Sequence, residues 1–286
     1  SVYEPLVTSI CDEPIYVDRQ AAPGGNGRTW STAISVLGDA LELVPARRFV
    51  CPESVVEIWV REGMYTPAPP GSSPTRTFYL YEGTRLLGGF KGDEIAAGQR
   101  DPSAHPTILS GDLNGDDLPG FGNRSDNVFR VVRVLGAPGI VDGFTIRGGD
   151  ARSLFSSGAG IWINDGGGRV TRCRFEDNRA ENLGGALYSF GPTIVEACTF
   201  VGNRSLERGG AIAMHRSSRV DSCSFHANEA QLGSAMWVDF SLYSGPARME
   251  LVQCQLRGNV ASRGGAIAFF ASEPSQTLEI RDGTLV

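Results

Sequence analysis

Phe175-Glu-Asp-Asn178, followed shortly by Gly184-Gly-Ala-Leu187, decides how this chain folds, because the two phrases recur in phase. The first returns as Phe200-Val-Gly-Asn203, Phe225-His-Ala-Asn228 and, with Leu in place of Phe, Leu256-Arg-Gly-Asn259. The second returns from Gly209 to Ile212, from Gly233 to Met236 with a Ser in the middle, and from Gly264 to Ile267. Cys173, Cys198, Cys223 and Cys254 keep the same beat, at steps of 25, 25 and 31 residues by the differences of their numbers. A unit of this length with no helical pattern is too long for a hairpin array and too short for a propeller blade. It fits a solenoid of parallel strands, three short strands per coil, climbing about 4.8 Å per turn. The long third step locates an insertion of about six residues, around Phe240 to Pro246.

Each phrase has a mechanical reading. The Phe packs inward on the Phe of the next coil. The Asn sits at a turn, where its amide satisfies backbone groups. Stacked, Asn178, Asn203, Asn228 and Asn259 form a ladder of amide hydrogen bonds. Gly-Gly-Ala permits a sharp bend and close approach between coils, and the aliphatic residue resumes the core. The four repeat cysteines read as small buried hydrophobes in a column; zinc is the alternative, but no Cys-x-x-Cys pair or His cluster accompanies them.

Outside this region the pattern loosens. Residues 1–54 read as an N-terminal cap: a strand at 14–18, a Gly/Asn turn, and an amphipathic helix over 31–44 that Thr29 or Ser31 caps and Pro45 follows. Such a cap would close the open end of a stack of coils, with Trp30 folded back on its first turn. Residues 55–157 read as irregular first coils, with short strands at 56–60, 78–81, 85–88, 107–110, 128–134 and 140–146. Residues 158–286 carry the regular repeat, and the chain reads as a piece of a longer protein, because Thr277 to Val286 opens a repeat that never reaches its Asn. The expected fold is an all-β, right-handed parallel β-helix with a helical cap.

The paired phrases resemble the Phe-x-x-Asn and Gly-Gly-Ala-(Ile/Leu/Val) repeats of the polymorphic outer membrane protein family. That resemblance covers about Gly158 to Ile267 and implies a surface adhesin whose passenger domain is a right-handed parallel β-helix. The first half resembles secreted bacterial β-helix proteins, through Tyr16-Val-Asp18, Asn26-Gly-Arg-Thr-Trp30, Ile58-Trp-Val60, Gly88-Gly-Phe90, Leu109-Ser-Gly-Asp112 and Gly143-Phe-Thr-Ile146. Together they imply an extracellular or outer-membrane-associated location. Cys11 and Cys51, flanking the helix, are a plausible disulfide and point the same way.

Composition narrows the partners. The formal net charge is −6 and no basic cluster occurs, so nucleic acid is not expected. No stretch approaches the roughly 20 apolar residues of a membrane span.

Function has to be written between the repeated phrases. By period-two alternation, Trp162, Tyr188, Ala213, Trp237 and Ala268 form one outward column, and Asn164, Phe190, His215, Asp239 and Phe270 the next. Aromatic rings beside Asn, Asp and His suit the apolar faces and polar edges of a glycan, and an apolar patch also suits a surface protein. The expected ligand site is therefore Trp162, Tyr188, Phe190, His215, Trp237 and Asp239, unless the insertion covers it. A polysaccharide lyase or glycoside hydrolase on an acidic glycan is the alternative, with His215, Asp239 and Asp221 as the weak catalytic candidates and Arg216 nearby. A structural spacer of a surface fibre is the third reading. Calcium is the one candidate cofactor, at Asp112, Asn114, Asp116 and Asp117 in a Gly-containing turn, where a solvated acidic turn is the bland reading. Asn123 and Asn203 match the glycosylation pattern, and Asn203 reads as a ladder residue instead.

Overall fold

The computed structural model describes residues 11–137, 139–152 and 156–285, so the first ten residues of the expected cap lie outside it. The chain winds as a right-handed parallel β-helix whose strands collect into three long sheets and one short one. The nine-stranded sheet runs from Ile15–Val17 through Val56–Arg61, Thr84–Phe90 and Ile140–Asp142 to Gln276–Arg281. The eight-stranded sheet begins at Gly63–Tyr65 and includes Arg174–Glu176 and Thr199–Val201. The seven-stranded sheet begins at Phe78–Leu80 and passes through Val132–Val134, Ile161–Ile163 and Leu187–Ser189 to Ile267–Phe270. The regular coils add a fourth, two-residue strand such as Arg179–Ala180, one more segment than the repeat suggests.

Register explains the repeat. Phe175, Phe200 and Phe225 lie directly over one another, with parallel rings 4.8 Å apart at both steps. Val141, Val170, Val195, Val220 and Leu251 stack in the same way on the nine-stranded side. All are buried, forming a continuous core.

The corners are set by left-handed backbone. Arg172, Ala197, Ser222 and Gln253 occupy one corner with φ between 49° and 53°. A second corner, just before the ladder, holds Asp177, Gly202, Ala227 and Gly258. The first glycine of each Gly-Gly-Ala phrase is the third, with φ of 61° at Gly184 and 66° at Gly209. Non-glycine residues cost about 1–2 kcal/mol there.

Each ladder asparagine is tied on both sides. Asn203 Nδ2 donates to the Phe175 carbonyl at 3.1 Å and to Asn228 Oδ1 at 3.0 Å. Its Oδ1 accepts from Asn178 N at 3.2 Å and Asn178 Nδ2 at 3.1 Å. The cysteine column is equally enclosed. Cys173, Cys198, Cys223 and Cys254 are free and buried, and each thiol donates to a nearby carbonyl, such as Cys198 Sγ to Glu196 O at 3.2 Å. Cys198 Sγ also accepts from Cys173 N. Burial raises the Cys198 thiol, which stays protonated.

The cap departs from the sequence reading. Trp30–Thr32 is a single 3-10 turn, and the α-helix runs from Leu37 to Val50 with Pro45 inside it on an exposed position. Residues 33–36 are not helical because Ile34 pairs with the first strand: Ile34 N donates to Tyr16 O, and Asp18 N to Ile34 O. Leu37, Ala40, Leu41 and Val44 are buried in the main core at the first coils. A disulfide joins Cys11 and Cys51 at the two ends of this segment. Trp30 does not fold onto its own turn; it packs on Tyr16 and Phe90 outside the nine-stranded sheet and donates to Glu94 O. The expected strand 140–146 is two strands bent at Gly143, whose φ is 83°. The expected strand 128–134 is ordered as a strand only from Val132.

Candidate functional site

The seven-stranded face carries its outward column in register: Tyr79, Arg133, Trp162, Tyr188, Ala213, Trp237 and Ala268 occupy successive rungs. The rings touch along the rungs. Trp162 stacks on Tyr188 with centroids 6.3 Å apart; Tyr188 meets His215 edge-on at 5.6 Å, and His215 meets Trp237 at 5.2 Å. Phe190 joins at 5.3 Å from His215.

Exposure is not uniform, which corrects the expectation of an open platform. Trp237 is 2% exposed and His215 4%. Trp162, Tyr188 and Phe190 are half-buried. The insertion explains part of this. Phe240, its first residue, is itself core and packs on Phe269. Beyond it, Tyr243 folds back onto Phe190, with centroids 5.9 Å apart, and Arg216 lies 3.4 Å from the Tyr243 ring centre. Arg208 covers Trp237 at 5.4 Å. The accessible stretch is therefore Tyr79 to Phe190, with the His215–Trp237 end under cover.

Arginines are what the sequence reading missed. Arg130 and Arg133 lie 5.2 and 4.8 Å from the Trp162 ring centre. Arg133 was legible, because Val132-Arg-Val134 has the same in-out-in alternation as Ile161-Trp-Ile163, one coil earlier. Burial, reinforced by neighbouring Arg133, pushes the Arg130 guanidinium down to about 10, so it remains a cation at neutral pH. Burial pushes the Tyr188 phenol up to about 12. Arg133, Arg208 and Arg216 have no carboxylate within salt-bridge distance among the described residues. The nine-stranded face is the opposite case. There Arg85 pairs with Glu57, Arg169 with Glu196, Arg219 with Asp221 and Glu250, and Arg248 with Glu250 and Glu279. Buried Asp142 sits between Arg100 and Arg172 at 2.7 and 2.6 Å. Burial alone would raise its carboxyl, but the two guanidinium groups outweigh it and hold the pKa low.

The expected acid–base set comes together only in part: Asp239 lies beside His215, and Asp221 does not. Asp221 stands on the nine-stranded sheet, hydrogen-bonded to Arg219, while Asp239 ends one strand of the seven-stranded sheet and His215 directly follows another. Asp239 Oδ1 accepts from Ser241 N at the start of the insertion. Burial lowers the His215 pKa, only partly offset by Asp239. A folded pKa below the unfolded value of about 6.5 stabilises the fold above that pH and less as pH falls through it. His215→Gln is accordingly expected to flatten the loss of stability between about pH 7 and pH 5; equal slopes in denaturant titrations of both proteins would contradict it.

The acidic turn is rearranged relative to the sequence reading. Carboxylate oxygens of Asp112, Asp116 and Asp126 lie within 4.8 Å of one another. Asp126 comes from beyond the motif, carried in by the loop that returns through Asn127, and its Oδ2 accepts from Asn114 N. Asp112 accepts from the backbone of Gly115, Asp116 and Asp117, so it caps the turn. Asp117 turns away towards Asn127 and Arg124. Burial raises its carboxyl, with Asn127 and Arg124 pulling the other way. Of the four expected ligands the cluster thus brings together Asp112 and Asp116, with Asp126 beside them, while Asp117 bonds Asn127.

Among the described residues no helix is long and apolar enough to cross a membrane. No curated protein matches the chain. Two solved structures of pectin methylesterase from Aspergillus niger, one deglycosylated and one with an N-acetylglucosamine stub, are similar at 12% identity. The match covers 96% of this chain and 85% of theirs, with a TM-score of 0.41. Residues 132–281, just over half of the chain, match the family model described as the right handed beta helix region, and the chain belongs to that family.

Proposed function

We propose that this protein is a non-catalytic, extracytoplasmic binding module whose seven-stranded face takes an acidic polysaccharide. The observation that carries the reading is the placement of Arg130 and Arg133 on the Trp162 ring, with Tyr188 stacked on the next rung. A uronate ring presents an apolar C–H face to an indole and a carboxylate to a guanidinium, so this pairing serves both. Arg208 and Arg216 extend the positive character along the same face. That local excess of cations stands out on a chain of formal charge −6. Asp165, exposed beside Tyr188, offers an acceptor for hydroxyl groups. The Cys11–Cys51 bridge supports an oxidising, extracytoplasmic setting. The Phe-x-x-Asn and Gly-Gly-Ala phrases support an adhesin-type role akin to the polymorphic outer membrane protein repeats.

Calorimetric titration with polygalacturonate and with a neutral glucan tests this. The uronate should bind and the glucan should not. Trp162→Ala and Arg133→Gln should each weaken binding about tenfold, about 1.4 kcal/mol. Because both side chains are half-buried on the outer face, folding should survive. Equal affinity for both polymers, or full binding by both variants, would sink the reading, as would recovery of shortened polymer after incubation. Binding only to proteins on a cell surface would favour a protein ligand instead.

A further inference from the structure

The seven-stranded face does not run freely past its first strand. Tyr79, 38% exposed, is one rung beyond Arg133 and two beyond Trp162, about 10 Å from the indole at the rung spacing of parallel strands. There the cap helix and the loop after Tyr65 close over the end of the track. Leu41 and Glu42 of the helix, Pro67 and Arg76 of the loop, Tyr79 of the strand and Tyr81 just after it line a cleft of about 230 Å³. A wider cleft of about 730 Å³ shares Glu42, Pro67 and Arg76 and opens from it along the helix. Glu42 and Arg76 are both exposed, and neither forms a salt bridge among the described residues, although they line the same two clefts. Charges on the nine-stranded face, by contrast, are used up in pairs.

The dimensions and chemistry specify the occupant. The narrow cleft is smaller than the roughly 300 Å³ at which drug-sized ligand sites begin, so it seats one ring, and beyond Tyr79 the seven-stranded sheet has no further strand among the described residues to carry a chain. Tyrosine rings suit the apolar face of a sugar, Arg76 suits a carboxylate, and Glu42 accepts from free hydroxyl groups. A chain lying along Tyr188 and Trp162 reaches the last strand of the sheet at this cleft, with the cap helix beside it. We infer that the cap cleft binds the terminal residue of the acidic polysaccharide, so that the protein recognises chain ends and not chain interiors. This rests on the acidic-glycan reading of the Trp162 track.

Stoichiometry reads the difference directly. Size-fractionated polygalacturonate is titrated against the whole protein, and bound protein is counted per polymer chain by light scattering. End recognition gives a constant number of proteins per chain whatever the chain length. Tyr79→Ala and Arg76→Gln, both at exposed positions, are expected to weaken tetragalacturonate binding about tenfold and to let occupancy grow with chain length. Occupancy that already scales with length in the unmodified protein overturns the inference and leaves the acidic-glycan reading standing. Unchanged tetramer affinity in both variants overturns it in the same way. Absence of any uronate binding by the unmodified protein removes both.

Discussion

Asn203→Ala is expected to lower the free energy of unfolding by about 4 kcal/mol, one of the largest effects available from a single side chain here. Asn203 is fully buried, and its amide joins three coils. Truncation leaves the Phe175 carbonyl, the Asn178 backbone N–H and one lone pair of Asn228 Oδ1 without those partners. Each buried group left unsatisfied costs about 1–3 kcal/mol. The Asn178 amide still reaches Ile146 O at 2.9 Å, and Asn228 still reaches Phe200 O at 3.0 Å, so the ladder breaks at one rung without collapsing. Urea denaturation followed by circular dichroism gives the shift. Amide exchange should report the damage first at Asn178 N and its neighbours, since repeat stacks transmit stability mainly between adjacent coils. A loss below about 1 kcal/mol would mean that water enters the column and replaces the amide. The same burial explains why the Asn203-Arg-Ser205 pattern is no glycosylation site in the folded chain.

Much of the fold was legible because a parallel coil repeats its mechanical demands. Phe175, Phe200 and Phe225 occupy one site in successive layers, so the same requirement is written at the same interval. Where the demand is not repeated, the reading weakened. The helix boundary was misplaced because Ala33 and Ile34 have helical spacing, yet Ile34 completes backbone pairing for the first strand. Pro45 reads as a helix stop, but it lies inside the helix at an exposed position, where one i→i−4 hydrogen bond goes unmade while the core-facing Leu41 and Val44 stay packed. Period-two alternation identified the aromatic column, since alternation decides which way a side chain points. It could not decide exposure, because Tyr243 and Arg208 arrive from separate loops to cover one end. Asp126 escaped the acidic motif for the same reason: loop closure, not local spacing, brings it to Asp112 and Asp116.

Gly209→Ala should cost about 4 kcal/mol or prevent folding, whereas Gly202→Ala should cost only about 1 kcal/mol. The two glycines have nearly the same backbone, with φ of 66° and 62°. Left-handed strain is therefore common to both, and a difference between the variants isolates space. A Cβ at Gly209 would lie 2.3 Å from the Ile212 carbonyl oxygen and 3.1 Å from Ala213 Cβ. That carbonyl is part of the next strand of the same coil, so relief requires moving the seven-stranded sheet. At Gly202 the nearest atom is Asp177 Oδ1 at 3.2 Å, the end of a side chain that can yield. The chain itself supports the milder estimate, since Ala227 occupies the same corner one coil later with φ of 52°. Gly184 repeats the crowding of Gly209, with a Cβ 2.2 Å from Leu187 O, so Gly184→Ala should match Gly209→Ala. Thermal and urea unfolding of the three variants decides the matter. Equal losses at Gly202 and Gly209 would assign the Gly-Gly-Ala phrase to backbone conformation alone. Unequal losses in the expected order would assign its first glycine to the fit between corner and strand that lets one coil lie on the next.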